Sequence, residues 1–370
     1  MQAVESVTPS AEVHIDELLT RMTRLGASDI HLKVGRPPVF RIHGDLRPQN
    51  VYDPLRPEDM ERLYQQVTGE AQRQRFEQEL ELDLPYEVEG VARFRVNVAR
   101  QRGTISMVMR RLSLEIPSID QLRLPSVCKE LVLKPRGLIL VTGPTGSGKS
   151  TTLAAMIDYL NEREARRIIT CEDPIEYVFE DKRSLITQRE LGRDTPTFAS
   201  ALKYALRQDP DVILVGEMRD LETITTALTA AETGHLVLST LHTAGAALTV
   251  DRVIDVFPPH QQQQVRTQLG GILEGVLSQT LVPTTDGQGR VAAIEVMIAT
   301  PAICNLIREG KTHQLPGVIE TSQRYGMKTL DQALLEIYQR GNVSMDEILS
   351  RAANPEHLRA QMRPNLRSRN

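Results

Sequence analysis

The chain has 370 residues, of which 40% are hydrophobic and 25% are charged, and its formal net charge is −4. This length predicts two or three domains, and the small net charge argues against a protein that coats nucleic acid by bulk electrostatics. The sequence has no run of about 18 uncharged apolar residues, as a transmembrane helix requires, and its N-terminus does not resemble a secretory signal.

The N-terminal part of the chain predicts a small α+β domain over residues 14–112, preceded by a flexible tail at 1–13. IDELLTRMTRLGA has apolar residues at helical spacing and ends at Gly26. DIHLKVGRPPVFRIHGDLRP then alternates as two short strands around a turn. A polar helical stretch follows, and ELDLPYEVEGVARFRVNVARQRGTISMVMRRL alternates as half-exposed antiparallel strands do.

Residues 113–136 predict a linker or hinge with one short helix, because three prolines are spaced widely along it. From Gly137 the pattern changes, and strand-like segments alternate with helical stretches. These segments are LILVTG, RRIITCED, DVILVGE, HLVLSTLH and VAAIEVMIA. The alternation predicts a second, α/β domain over 137–352, with a mostly parallel sheet covered on both faces. Helices are predicted from about residue 300, and a basic tail at 353–370.

A glycine-rich turn lies between the first of these strands and a predicted helix. GPTGSGKS, residues 143–150, fits G-x-x-x-x-G-K-[ST] at every position. The glycines let successive amides face one point, and the helix N-terminus completes an anion site. Lys149 is expected to reach the β- and γ-phosphates of a nucleoside triphosphate, and Ser150 to bind Mg²⁺. The predicted nucleotide contacts are Gly143, Pro144, Thr145, Gly146, Ser147, Gly148, Lys149, Ser150 and Thr151.

Two other predicted strands end in carboxylates. In DPDVILVGE, Gly216 stands where an aspartate usually ends the apolar run and Glu217 follows, so Glu217 is the predicted Mg²⁺-positioning acid. The alternative is that Glu217 only caps the next helix. ITCEDPIEYVF ends in Glu172, Asp173 and Glu176, at the sheet edge where ligands bind in such folds. One of these carboxylates could act as general base. The alternative for others, such as Asp173, is that they only keep a surface loop hydrated.

Two histidines and several arginines complete the candidates. His235 and His242 flank LVLSTL, and because seven extended residues span about 23 Å, a shared metal ion is disfavoured. His242 is interpreted as a γ-phosphate sensor or an interface switch, against a structural role. The arginines of ARFRVNVARQRG and MRRL form either a solvated face or fingers that reach a neighbouring subunit's nucleotide.

These motifs together resemble one family. GPTGSGKS, EDPIEYVF, VILVGEMRD and GHLVLSTLHT are similar, in order, to the P-loop, acidic box, atypical Walker B motif and histidine box of the ATPases of type II secretion and type IV pilus systems. The similarity runs from about Asp16 to Ala352. It implies a RecA-like P-loop NTPase domain preceded by a small α+β, PAS-like N-terminal domain, to which ASDIHL and RFRVNVARQRG are similar.

Within this family the chain most resembles the PilT-type pilus retraction ATPases. It is short, it lacks a tetracysteine zinc insert, and AICNLIREGK is similar to their AIRNLIRE signature. Cys304 replaces the arginine of that signature. Either the position tolerates change or the chain is a divergent PilU-like paralogue, and the match over residues 305–309 favours tolerance.

The resemblance implies roles for individual residues. Glu176 becomes the leading catalytic carboxylate, Glu217 the Walker B acid that holds Mg²⁺ with Ser150, and His235 and His242 the histidine box, with His235 counted among the nucleotide contacts. The arginines implied to stabilise charge at a clamp between the two domains are Arg93, Arg95, Arg110 and Arg252.

The resemblance also implies a biological setting. It is that of a homohexameric, Mg²⁺-dependent ATPase motor for pilus retraction and twitching motility, cytoplasmic and peripheral to the inner face of the membrane. A PilC-like platform protein, and PilU-like or PilB-like ATPases, are the implied partners. The three scattered cysteines fit a cytoplasmic protein.

Two other functional classes remain open at this point. A RecA-like nucleic-acid motor would need a basic channel and stacking aromatics, and a chain without Trp and with 4% aromatic residues disfavours it. A nucleotide switch that does not hydrolyse is disfavoured by the carboxylates at two strand ends.

Overall fold

The computed structural model describes residues 13–362 except His43, Ser113, Leu114, Gln288 and Asn342. The chain divides into two compact units between Glu115 and Ile116. Most of the tail predicted for residues 1–13 lies outside the described residues, and Val13 is buried.

The first unit contains nine helices and strands in its described part. They are α1 (Ile15–Arg24), β1 (Asp29–Lys33), β2 (Val39–Ile42), β3 (Asp45–Pro48), α2 (Pro57–Val67), α3 (Glu70–Glu79), β4 (Glu81–Val88), β5 (Ala92–Gln101) and β6 (Thr104–Arg111). The strands form one antiparallel sheet in the order β3-β2-β1-β6-β5-β4. One face of this sheet packs on the helices, so core residues alternate along β5, where Phe94, Val96 and Val98 are fully buried.

The second unit begins with an α/β layer. Its elements are α4 (Val127–Val132), β7 (Gly137–Thr142), α5 (Lys149–Asn161), β8 (Arg167–Glu172), β9 (Leu185–Glu190), α6 (Phe198–Ala205), β10 (Val212–Val215), α7 (Leu221–Glu232), β11 (Leu236–Leu241), α8 (Ala246–Asp255), α9 (Pro259–Ile272), β12 (Leu273–Pro283) and β13 (Arg290–Ile298). The sheet order is β13-β12-β7-β11-β10-β8-β9, and all neighbours are parallel except β13 with β12. The predicted α/β fold is confirmed, and β9 and β12 are strands that the sequence analysis did not predict.

The central strands are apolar throughout because both faces of the sheet are covered. Along β7, Leu138 and Leu140 enter the core on one face, and Ile139 and Val141 enter the core on the other. Burial of these apolar strands therefore stabilises the sheet. Because the central strands are parallel, their carboxyl ends lie at the same edge.

A helical layer follows, as predicted from about residue 300. It consists of α10 (Pro301–Arg308), α11 (Leu315–Thr321), α12 (Leu330–Gln339), α13 (Met345–Leu349) and α14 (Pro355–Met362). The basic tail predicted from 353 is partly wrong, because α14 is a helix whose Leu358 is fully buried. Residues 363–370 lie outside the described part of the chain.

The predicted linker also differs from the structure. Residues 116–136 belong to the second unit, and α4 packs against α5 with Cys128 and Val132 fully buried. The part of the predicted linker from Ile116 onward is therefore packed in the second unit. Across the described ranges, no helix combines the length and apolarity needed to cross a membrane.

Candidate nucleotide site

The phosphate loop, residues 143–150, connects β7 to α5 as predicted. Gly143, Gly146 and Gly148 have φ angles of 138°, 78° and 88°, which residues with side chains rarely adopt. A Cβ at Gly143 would also collide with the carbonyl of Gln279. α5 begins at Lys149, so its first amides have no partners within the helix and form a ready anion site.

Lys149 is buried at the centre of this loop. Its Nζ donates to the carbonyls of Gly143 at 2.9 Å and Pro144 at 3.1 Å. Burial lowers the pKa of Lys149, and the negative charges of Glu217 and Glu176 oppose that shift. The structure thus brings together three groups that the sequence analysis predicted to act together.

A residue that the sequence analysis missed supports the loop. Gln279 lies on β12 and is buried; its Nε2 donates to the carbonyl of Ser147 and its Oε1 accepts from Thr152 Oγ1 at 2.9 Å. The signal in the sequence is a polar pair, Ser278 and Gln279, within the apolar run GVLSQTLV. Buried polar side chains are normally hydrogen-bonded, and here the partner is the phosphate loop.

Glu217 follows β10 and contacts an arginine and a histidine. Its Oε1 lies 2.7 Å from Arg219 Nε and 3.0 Å from His242 Nε2. Burial alone would raise the pKa of Glu217, but the hydrogen bonds with Arg219 and His242 outweigh it and the pKa is lowered. The capping alternative for Glu217 is wrong, because Asp220 caps α7 by accepting from Thr223 N at 2.8 Å.

Gly216 stands where three strand ends approach one another. Its N–H donates to the Cys171 carbonyl at 2.7 Å, and its carbonyl accepts from Thr240 Oγ1 at 2.7 Å. A Cβ at this position would lie 3.2 Å from the Cys171 carbonyl oxygen and 3.3 Å from the Cα of Glu172. The close approach of β8 therefore favours glycine over aspartate at this position.

Residues 172–179, which we call the acidic loop, start at the last residue of β8 and continue beyond it. Burial raises the pKa of Glu172 to about 6, and the backbone N–H of Glu176, which faces the carboxylate, opposes that shift. The Glu176 side chain is exposed. Tyr177 Oη lies 3.0 Å from Thr151 Oγ1, so this loop is tied to the first turn of α5.

The two histidines lie at opposite edges of the sheet. His242 follows the carboxyl end of β11 and contacts Glu217, as a residue of the site should. His235 precedes β11, and its Nδ1 lies 2.9 Å from the Ala230 carbonyl oxygen. The phosphate loop follows the carboxyl end of the parallel neighbour β7, so His235 does not join the site within its own chain, and its predicted nucleotide contact is not supported there.

The arginines proposed for a clamp are divided between the units. Arg252 is exposed on α8 of the second unit. Arg95 and Arg110 are paired across β5 and β6 of the first unit, and Arg93 is buried on β5. Their action at a nucleotide stays a prediction.

A cleft of about 880 Å³ adjoins the phosphate loop. Gly148 and Thr151 line it, together with Leu122, Arg123 and the hairpin between β12 and β13. This volume is within the range of small-molecule sites and leaves room for the nucleoside beside the phosphates.

The residues present also fit a phosphate-bound Mg²⁺. Ser150 is half-buried in the first turn of α5, and Glu217 is ionised nearby. In the described ranges no group of three or more His, Cys, Asp or Glu side chains could hold a metal ion. In nucleotide sites, phosphates and water supply most of the ligands of Mg²⁺, and the protein contributes one or two side chains.

Comparisons with known proteins agree with this geometry. The model of the type II/IV secretion system protein family matches residues 5–351. The type IV pilus retraction ATPase PilT of Pseudomonas aeruginosa is 51% identical over 93% of this chain and 99% of its own. The type IV pilus ATPase PilU of the same organism is 41% identical over 95% of this chain and 92% of its own. A crystal structure of the pilus retraction motor PilT with bound ADP is similar with a TM-score of 0.89 and 48% identity, covering 94% of this chain and 100% of that one.

Proposed function

The chain belongs to the type II/IV secretion system protein family, and from that premise we propose that it is an ATPase that powers type IV pilus retraction. The observation that carries the proposal is the assembled nucleotide site, in which Lys149 of the phosphate loop lies near Glu217 and Glu176. The 51% identity to a retraction ATPase over nearly its full length supports the biological role.

Each part of the site has a place in phosphoryl transfer. Lys149 exchanges the carbonyls of Gly143 and Pro144 for the β- and γ-phosphates, and the loop amides bind phosphate oxygens. Mg²⁺, held by Ser150 and by Glu217 directly or through water, would neutralise phosphate charge. Glu176 orients the attacking water, and His242 senses the γ-phosphate through its contact with Glu217.

The motor function requires more than one copy of the chain. We place Arg95, Arg110 and Arg252 at the clamp around a nucleotide in a homohexameric ring, where closure depends on the γ-phosphate. A PilC-like platform protein of the pilus is the proposed membrane partner, which would bring the ring to the cytoplasmic face of the membrane. PilU-like or PilB-like ATPases are further proposed partners.

The second candidate is a PilU-like accessory ATPase, because Cys304 departs from the retraction signature. In the structure Cys304 lies within the regular helix α10, and its Sγ is 3.6 Å from the Ala299 carbonyl oxygen. The helix therefore accommodates cysteine there. Together with the lower identity to PilU than to PilT, this favours the retraction ATPase itself.

Complementation and ATPase assays together test the function. The gene is expressed in Pseudomonas aeruginosa strains that lack PilT or PilU, and the purified protein is assayed for ATP hydrolysis. We expect the wild type to restore twitching without PilT, and Lys149→Ala to lose both twitching and ATPase activity. Lys203→Ala, at an exposed lysine on α6, is the control and should match the wild type. Rescue confined to the strain without PilU would favour the accessory role, and no ATPase activity in the wild type would refute the proposal.

A further inference from the structure

The acidic loop has no helix or strand of its own, so other elements must hold it. After Glu172 the next regular element is β9, which begins at Leu185. The backbone groups of an irregular segment still need partners, and an exposed carboxylate such as Glu176 is only as well placed as the backbone that carries it. The contacts of this backbone therefore decide where Glu176 lies.

Gln188 on β9 supplies three of these contacts. Its Nε2 donates to the Tyr177 carbonyl at 2.8 Å and to Glu172 Oε1 at 3.2 Å, and its Oε1 accepts from the N–H of Phe179 at 2.9 Å. The side-chain amide of Gln188 thus contacts both ends of the acidic loop, at Glu172 and at Phe179. None of these bonds goes to the phosphate loop.

The Glu172 carboxylate connects Gln188 to the backbone of Glu176. The Glu172 carboxylate accepts from Thr170 Oγ1 at 2.6 Å and from Gln188 Nε2 at 3.2 Å, and the backbone N–H of Glu176 faces it. Both donor side chains are fixed on strands, Thr170 on β8 and Gln188 on β9. The orientation of the carboxylate, and with it the position of the Glu176 backbone, is therefore set by the two strands.

Two further contacts fix the remainder of the loop. The N–H of Ile175 donates to Oε2 of Glu190, two residues after Gln188 on the same face of β9, at 3.3 Å. On the other side, the hydroxyl contact between Tyr177 and Thr151 ties the loop to α5. The acidic loop is thus held by contacts with β9 on one side and with α5, the helix that follows the phosphate loop, on the other.

We propose that Gln188 is a positioning residue for ATP hydrolysis, which holds the acidic loop so that Glu176 faces the γ-phosphate; the inference rests on the proposed function. The role suits glutamine because its amide donates twice and accepts once in one place. A glutamate keeps the acceptor and loses both donors, and it sets a second carboxylate against Glu172. A methionine keeps the length and loses all three bonds.

The test separates hydrolysis from binding. For Gln188→Glu we expect kcat to fall about tenfold to a hundredfold, since small displacements of a catalytic group cost this much. The Kd for ADP should stay within about twofold, because phosphate-loop contacts set most of that affinity. Gln74→Glu is the matched control: its Nε2 lies 3.2 Å from Glu70 Oε1 on exposed α3, and we expect wild-type kcat.

A double variant in which the two side chains are exchanged tests the hydrogen bond between Gln188 and Glu172. Gln188→Glu combined with Glu172→Gln restores one amide–carboxylate hydrogen bond with opposite polarity, and we expect kcat to recover in part. If Gln188→Glu does not fold, Gln188→Met, which adds no charge, should show the same loss of kcat with unchanged ADP binding. Wild-type kcat in either folded variant, or equal losses of kcat and ADP binding, would overturn the inference.

The failure of this inference is distinguishable from failure of the proposed function. Glu176→Gln is measured beside the Gln188 variants. An inactive wild type would refute the function as a whole, and an active Glu176→Gln would refute the assignment of Glu176. If the wild type is active, Glu176→Gln is inactive and Gln188→Glu is fully active, only the role of Gln188 is wrong.

Discussion

Three glutamates at the carboxyl edge of the sheet have different surroundings. Glu172 is half-buried and its pKa is raised to about 6, Glu217 contacts Arg219 and His242 and has a lowered pKa, and Glu176 is exposed. Burial favours the neutral form of a carboxyl group, and a cationic neighbour favours the charged form. One residue type can therefore fix a loop, stay ionised at the proposed Mg²⁺ site and contact water.

The raised pKa of Glu172 predicts a pH dependence of stability. The folded protein binds this proton more tightly than the unfolded chain, so unfolding free energy falls as pH rises from about 4.5 to about 6 and stays lowered above. Glu172→Gln has no carboxyl group to titrate at this position, so its unfolding free energy does not show this fall. Relative to the wild type, we expect the unfolding free energy of the variant to rise by about 1 kcal/mol from pH 5 to pH 8, because part of the wild-type loss has already occurred at pH 5. Urea unfolding of both proteins at the two pH values measures this; an equal difference at both would contradict it.

At the scale of elements, the two strands that the sequence analysis missed each supply a glutamine to the site. Gln279 on β12 contacts the phosphate loop, and Gln188 on β9 contacts the acidic loop. β12 was hard to predict because α9 runs directly into it, ending at Ile272 where the strand begins at Leu273. β9 is a polar edge strand whose Leu185 is exposed, so it lacks the apolar run of the buried strands.

The parts of the site that the sequence predicts are those governed by local rules. Lys149, Glu217 and His242 follow the ends of apolar parallel strands, and such ends share one edge. His235 precedes its strand and lies at the opposite end, as its spacing from His242 indicates, and only the family resemblance implied that it contacts the nucleotide. Contacts such as Gln188 to Glu172 depend on strand order and register, which residue patterns within each segment do not specify.

The different burial of the three cysteines predicts an order of reactivity. Cys128 on α4 and Cys171 on β8 are buried, and burial raises the pKa of each thiol to about 12. Cys304 is half-buried and more accessible. Since thiol reagents attack accessible thiolates, we expect Ellman's reagent to label one thiol in the native chain and all three in urea, with the native signal lost in Cys304→Ser. Native labelling of Cys128 at the rate of Cys304 would mean that α4 is not packed.

At the scale of the molecule, the groups expected at the nucleotide are divided between two units with separate cores. In the second unit Arg219 already pairs with Glu217. In the first unit Asp29 holds Arg110 at 2.9 Å, and the opposing Arg95 has a looser contact of 3.9 Å with Asp83. Arg95 is therefore the better placed of this pair to exchange its partner for a phosphate.

A mixing experiment tests whether Arg95 serves a neighbouring chain. Arg95→Ala and Lys149→Ala should each be inactive alone, because every site then lacks either the finger or the phosphate lysine. In an equal mixture roughly a quarter of the interfaces join an intact lysine to an intact arginine, and we expect about that fraction of the wild-type rate. Arg75→Ala, at an exposed arginine paired with Glu79, is the control and should be active alone. An ATPase rate per chain that does not change with protein concentration, with no recovery on mixing, would place the complete site in one chain and exclude the shared clamp.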